Sequence, residues 1–158
     1  MATTEATLYD VKNGAAWITL NRPENRNALS SILVLELYEH LLVANDDPDV
    51  RCIVITGTDP AFCAGADLKS PPGASIEGRK SVPYPRVLTQ ILESDKPVIA
   101  AVNGAAFAGG LGLVGAADIV IAREDVQFSF SEVRILSLIH ICRCRRIERC
   151  RSRWSPYH

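Results

Sequence analysis

The sequence is short of several features that would settle its class at once. No apolar run reaches about 18 residues, so neither a transmembrane helix nor a membrane partner is expected. Met1-Ala2-Thr3-Thr4-Glu5 carries no basic segment followed by an apolar one; no secretory signal is read there, and a cytoplasmic location is expected. Net charge is almost absent, −1 over 158 residues, which argues against a generally basic nucleic-acid binder. No fixed-period repeat marks a solenoid. Hydrophobic residues at 47% and charged residues at 22% lie near the average for globular proteins, which excludes a disordered or collagen-like chain. The length suits one domain, or at most two small ones.

The missing charge is an average over two unlike parts. Residues 136–158 hold six arginines (Arg143, Arg145, Arg146, Arg149, Arg151, Arg153) against Glu148 alone, a net of about +5. Residues 1–135 carry 11 basic and 17 acidic side chains, about −6. Three of the five cysteines, Cys142, Cys144 and Cys150, also fall in the tail. The other two, Cys52 and Cys63, read as ordinary thiols of a reducing compartment.

Thr7–Asp10 and Ala16–Leu20 flank Lys12-Asn13-Gly14, and Asn-Gly between two β-prone runs predicts a hairpin. Asn21–Asn25 reads as a loop. Leu33, Leu37, Leu41 and Ala44 recur on one helical face from about Ser31, with Ser30 or Ser31 as cap and Asn45-Asp46-Asp47-Pro48 as stop. Cys52–Thr56, Val98–Val102 and Ile119–Ala122 are short apolar runs that predict strands buried on both faces, with a possible fourth near Gln127-Phe128. Phe62–Lys69 reads as a small-residue connection, Pro71–Gly78 as an exposed loop, and Val87–Leu92 as the middle of a helix. The second half of Ala105–Ala117 suits another helix. Strands alternating with helices predict an α/β layout with parallel strands.

Two predicted strands run into small-residue turns, Phe62-Cys63-Ala64-Gly65-Ala66-Asp67-Leu68-Lys69 and Asn103-Gly104-Ala105-Ala106-Phe107-Ala108-Gly109-Gly110-Leu111-Gly112. Small residues let a ligand approach the backbone, and free N–H groups at a helix start attract negative charge. Two such groups converging on one point would form an oxyanion hole. Tight strand–helix packing alone would also explain the composition, and these residues by themselves leave both readings open.

Taken in order and spacing, the residues resemble the crotonase (enoyl-CoA hydratase/isomerase) superfamily over roughly residues 8–135. The resemblance rests on Asn21-Arg22-Pro23 with Asn27-Ala28-Leu29, Val54-Ile55-Thr56-Gly57, and Phe62 to Leu68. It continues through Lys96-Pro97-Val98-Ile99-Ala100-Ala101-Val102-Asn103-Gly104, Ala108-Gly109-Gly110, Ala117-Asp118-Ile119 and Phe128 to Arg134. It implies a spiral of ββα turns, here its N-terminal half, that binds acyl-coenzyme A thioesters. The two oxyanion-hole N–H groups fall on Ala66 and Gly109. Ala28 and the segment Ala64, Ala66, Asp67, Leu68, Lys69 would line the substrate with Gly109, and Arg26 would meet either a coenzyme A phosphate or solvent. Glu132 takes the place of the later acid/base glutamate. The earlier glutamate position is Gly112, a departure from the two-glutamate hydratases. It leaves a hydratase, a one-glutamate Δ3–Δ2 enoyl-CoA isomerase and a non-catalytic acyl-CoA binder as alternatives. The resemblance implies no metal or redox cofactor, coenzyme A being part of the substrate, and it implies a homotrimer or hexamer for full-length relatives.

From Leu136 the pattern breaks. Leu136 to Arg146 resembles a conceptual translation through a transposase-type sequencing adapter, so residues 136–158 are expected to be an assembly artefact on a truncated frame. A basic nucleic-acid-binding arm, or zinc held by Cys142, Cys144, Cys150 and His140 or His158, is the rival reading, and the C-x-C…C spacing fits zinc poorly. The chain as written is expected to be inactive by itself.

Overall fold

A computed structural model of the chain describes residues 5–76 and 78–130. Glu132, the basic tail and its cysteines lie outside the described residues.

The chain opens with the expected hairpin. β1 (Thr7–Lys12) and β2 (Ala15–Leu20) pair antiparallel from Thr7↔Leu20 to Lys12↔Ala15. The two turn residues, Asn13 and Gly14, both have positive φ (54° and 78°), the geometry a two-residue turn needs to follow the strand twist. After a 3-10 turn at Pro23–Asn25, α1 spans Ser31–Asp46. Ser30 is its cap, with Oγ accepting from Leu33 N–H at 3.3 Å. The predicted stripe Leu33, Leu37, Leu41 and Ala44 is fully buried.

β3 (Cys52–Gly57), β5 (Val98–Val102) and β7 (Ile119–Ala122) then add to β2 in parallel, giving a five-stranded sheet in the order β1-β2-β3-β5-β7. Between them run β4 (Ala61–Cys63), α2 (Tyr84–Leu92), β6 (Ala105–Phe107) and α3 (Gly109–Ala116). β4, β6 and β8 (Phe128–Ser129) form a second, three-stranded parallel sheet. Each turn of chain thus lays one strand in the large sheet, one in the small sheet, then a helix: β3-β4-α2, then β5-β6-α3. In the turn from β2 to α1, the small-sheet place is taken by a single parallel bridge, Leu29↔Ala66. This is the ββα spiral that the resemblance implies.

Three expectations need amendment. Phe62–Lys69 is not wholly a connection, because Ala61–Cys63 is a strand, and so is Ala105–Phe107. Three residues are too few for a periodicity to register, and these strands exist through pairing with each other. β3 is buried on both faces, with Ile53, Val54 and Ile55 almost fully covered. β5 instead alternates: Val98, Ala100 and Val102 are buried, while Ile99 and Ala101 are partly exposed. β7 departs furthest, for all four of its residues are exposed. It is the last strand of its sheet, and no further strand pairs with it among the described residues.

Several polar residues of the motifs hold the turns of the spiral together. Lys96 Nζ donates to the carbonyls of Ala44 (2.7 Å) and Asp47, closing the C-terminal end of α1. Asp118 Oδ2 accepts from Val98 N–H at 2.8 Å, and Asn103 Oδ1 accepts from Gly57 N–H at 3.1 Å. Asn27 is fully buried. Its side chain accepts from Arg22 N–H and donates to the carbonyls of Thr58 and Ala61, all within 2.8 Å. These groups satisfy backbone atoms that strand pairing and the end of α1 leave over.

Candidate active site

The ends of β4 and β6 bring the two small-residue turns into contact. Gly65 has φ +96°, and a Cβ there would lie 2.8 Å from Ala108 Cβ and 3.5 Å from Gly109 N. A Cβ on Gly109 would lie 2.8 Å from Leu29 Cδ1 and 3.8 Å from Ala66 N. Segments about forty residues apart thus meet closely, and a side chain at Gly65, at positive φ and 2.8 Å from Ala108 Cβ, would force them apart.

The bridge to Leu29 uses the Gly65 carbonyl, which accepts from Leu29 N–H at 2.7 Å, and Asp67 N–H, which donates to Leu29 at 3.0 Å. In a parallel bridge this pattern turns the N–H of the intervening residue, Ala66, away from its partner. Gly109 is the first residue of α3, so its N–H is one of the donors a helix start leaves over, and it carries the positive end of the helix. Among the described residues neither N–H has a hydrogen-bond acceptor. Ala66 is solvent-exposed and Gly109 partly so. Two free donors therefore sit beside one another where an anionic oxygen can reach them.

The peptide between Ala108 and Gly109 is strained. Ala108 has φ 49° and ψ −115°, a conformation that normally requires glycine and costs about 1–3 kcal/mol. Ala108 N–H donates to Ser129 of β8, and Leu111 N–H returns to the Ala108 carbonyl, both at 3.0 Å. The small sheet and the first turn of α3 together hold that strained turn.

The remaining expected site residues are placed as follows. Ala64 is half-buried, with its N–H on the Arg26 carbonyl (3.0 Å), and both residues line a cavity of about 160 Å³ with Pro60, Ala61, Ala105 and Phe107. Ala28 is buried one position before the bridge residue. Leu68 is 87% exposed, an apolar side chain standing free beside the Ala66 turn, and Lys69 is exposed with it. The Asp67 carboxylate is already engaged: Oδ1 accepts from the N–H groups of Lys69 (2.9 Å) and Ser70 (3.4 Å), and Oδ2 lies 3.4 Å from Arg22. Its side chain thus shapes the loop that follows Ala66. Cys63 is fully buried beneath the turn; burial pushes its thiol up to about 11, which makes it a packing group rather than a nucleophile.

A residue that the sequence reading passes over also belongs here. Tyr84 opens α2, and its hydroxyl donates to the Gly109 carbonyl at 2.5 Å. Pro83 and Pro85 around it are a helix-start signal. Nothing in the spacing links residue 84 to residues 109–112.

Known proteins are similar to this chain over most of its length. A family model described as enoyl-CoA hydratase/isomerase matches residues 10–149. A mitochondrial enoyl-CoA hydratase of Pongo abelii is 42% identical over 123 residues, covering 78% of this chain and 42% of the relative. An (E)-benzylidenesuccinyl-CoA hydratase of Thauera aromatica is 37% identical over 131 residues, covering 82% and 51%. A solved structure described as a putative enoyl-CoA hydratase/isomerase (crotonase) from Legionella pneumophila superposes with a TM-score of 0.72 at 34% identity, covering 84% of this chain and 53% of that one. The chain spans about half the length of the curated relatives it matches.

Proposed function

The chain belongs to the enoyl-CoA hydratase/isomerase family, and from that premise we propose that the complete protein is a lyase that adds water to a 2-enoyl-CoA thioester through an oxyanion-stabilised enolate. The observation that carries this reading is the pair of N–H groups on Ala66 and Gly109, neither of which has an acceptor among the described residues. The thioester oxygen would accept from both. As water adds to C3, electrons move onto that oxygen, and fixed donors stabilise the charge without having to reorganise. Glu132 is the acid/base group in this scheme. Its carboxylate takes one proton from the water as the hydroxyl bonds to C3, and returns that proton to C2 as the enolate collapses. Ala64, Leu68 and Lys69 would flank the coenzyme A moiety, with Arg26 facing its phosphates. Removing one oxyanion donor typically costs about 3–4 kcal/mol of transition-state stabilisation.

A second reading is favoured by Gly112, which supplies no carboxylate. A single glutamate suffices for Δ3–Δ2 isomerisation, taking a proton from C2 of a 3-enoyl-CoA and returning it to C4. Residues 136–158 stay outside the acyl-CoA-binding domain in this proposal. The family match extends to residue 149, but the Cys/Arg-rich run breaks the pattern from Leu136; reading the encoding nucleotides tests that assignment. Ile119, Val120, Ile121, Phe128 and Phe130 are exposed apolar side chains, which supports placing further protein over the β7 and β8 edges in the complete, oligomeric enzyme, and activity is expected of that protein rather than of these 158 residues.

The test is the complete protein with crotonyl-CoA and with a 3-enoyl-CoA. Loss of the conjugated enoyl absorption with hydroxyacyl product supports the hydratase, and double-bond migration supports the isomerase. Binding without turnover removes both. Glu132→Gln is expected to abolish turnover while leaving binding intact, and full activity in that variant would remove the acid/base assignment.

A further inference from the structure

The Tyr84 hydroxyl makes two contacts at once on the opening turn of α3. It donates to the Gly109 carbonyl at 2.5 Å. It also lies 2.8 Å from where a Cβ on Gly112 would stand, while the next nearest atoms, Tyr84 Cε1 and Leu88 Cδ1, are each at 3.5 Å. A carbonyl oxygen has two lone pairs, so Gly109 can accept the phenol beside its helical partner. Burial pushes the phenol well above the usual tyrosine range, so it stays a donor throughout the neutral range. The turn it grips needs an external hold. Gly109 has no side chain to anchor, and Ala108 before it sits in a strained conformation. The Gly109 carbonyl and the Gly109 N–H flank one Cα, so fixing the first restricts the direction of the second.

We propose that Tyr84 is a positioning residue of this site: its hydroxyl holds the Gly109 carbonyl and thereby aims the Gly109 N–H, and by filling the space over Gly112 it confines that position to glycine. The proposal rests on the acyl-thioester reading above. It links two features that reading leaves separate, namely the precision of one oxyanion donor and the absence of a side chain at residue 112. The phenol does not touch the reacting atoms, so its removal loosens a donor rather than deleting one.

The experiment compares wild type and Tyr84→Phe in the complete protein. The ligand is a dimethylaminocinnamoyl-CoA thioester, whose absorption moves to the red when its carbonyl is polarised. Tyr84→Phe is expected to bind this probe with unchanged affinity but a smaller red shift. With crotonyl-CoA its kcat should fall about tenfold at unchanged KM, short of the 100-fold or greater loss that deleting a donor brings. Gly112→Ala is then made in both backgrounds. It should lower the Tm of the wild type and leave that of Tyr84→Phe unchanged or higher, because the atom at 2.8 Å is gone. An unaltered red shift and kcat in Tyr84→Phe would overturn the positioning role, and equal damage from Gly112→Ala in both backgrounds would overturn the steric one. A wild-type protein that does not bind the probe would remove the acyl-thioester reading itself, and the positioning role with it.

Discussion

Replacing Gly110 by alanine sets helix propensity against packing, and the geometry says which effect wins. α3 contains Gly109, Gly110, Gly112 and Gly115. Propensity alone favours alanine over glycine in a helix by about 0.8–1 kcal/mol at any interior position. At Gly110 a Cβ would lie 2.6 Å from the Cys63 carbonyl oxygen, 2.8 Å from Cys63 Cβ and 3.2 Å from Sγ. The closest of these is about 0.8 Å short of an ordinary 3.4 Å contact. The obstructing atom is backbone of β4, so no flexible side chain can yield, and α3 must lift from the strand. Overpacking of this kind costs about 1–3 kcal/mol, leaving a net loss of about 1–2 kcal/mol after the propensity gain. At Gly115 nothing lies within 4 Å of the added carbon, so Gly115→Ala should gain about 0.5–1 kcal/mol. Urea unfolding of the two variants of the complete protein should therefore give shifts of opposite sign at equal m-values. Turnover should fall in Gly110→Ala alone, since lifting α3 carries the Gly109 N–H away from Ala66. A Gly110→Ala protein as stable as Gly115→Ala would refute the close approach of α3 to β4 on which the site depends.

Two further outcomes follow from the same contacts. Lys96→Met removes the ammonium group that closes the C-terminal end of α1 on Ala44 and Asp47; for a half-exposed group donating charge-assisted bonds the loss should be about 1–2 kcal/mol in chemical denaturation. The Cys63 thiol has its pKa raised from 9.0 to about 11 in the folded chain. The folded state thus keeps a proton that the unfolded state gives up. This contribution is fully present below about pH 9 and is lost as pH rises towards 11, by about 2–3 kcal/mol in all. Cys63→Ala should flatten that part of the stability–pH curve, and an unchanged slope in the variant would show that the thiol is not buried as described.

The parts of the fold legible in the sequence were those that a local signal specifies. Asn13-Gly14 requires a two-residue turn, and the observed hairpin has it. The Leu33, Leu37, Leu41, Ala44 stripe is a helix face that any apolar neighbour would bury, and Ser30 caps it. β3 was recognisable as a doubly buried strand because Cys52–Thr56 is short, apolar and β-branched. The site was legible only in part. The two small-residue turns were visible, but from their residues alone tight packing explained them as well as ligand binding did. Asp67 was expected to line the substrate, and its carboxylate also holds its own loop and lies beside Arg22. β4, β6 and Tyr84 left no periodic trace.

The sequence by itself therefore determined the local elements, the α/β alternation, the family pattern and the two turns on which chemistry was to be sought. The tertiary structure alone decided that Ala66 and Gly109 lie side by side with no acceptor for either N–H among the described residues, that Ala61–Cys63 and Ala105–Phe107 pair in a second sheet, and that a tyrosine 25 residues away grips the turn. The physical reason is range. Periodicity, caps and turn residues act over a few positions along the chain. A backbone contact across some forty residues, or a phenol filling the space a glycine leaves, depends on how successive turns of the spiral stack.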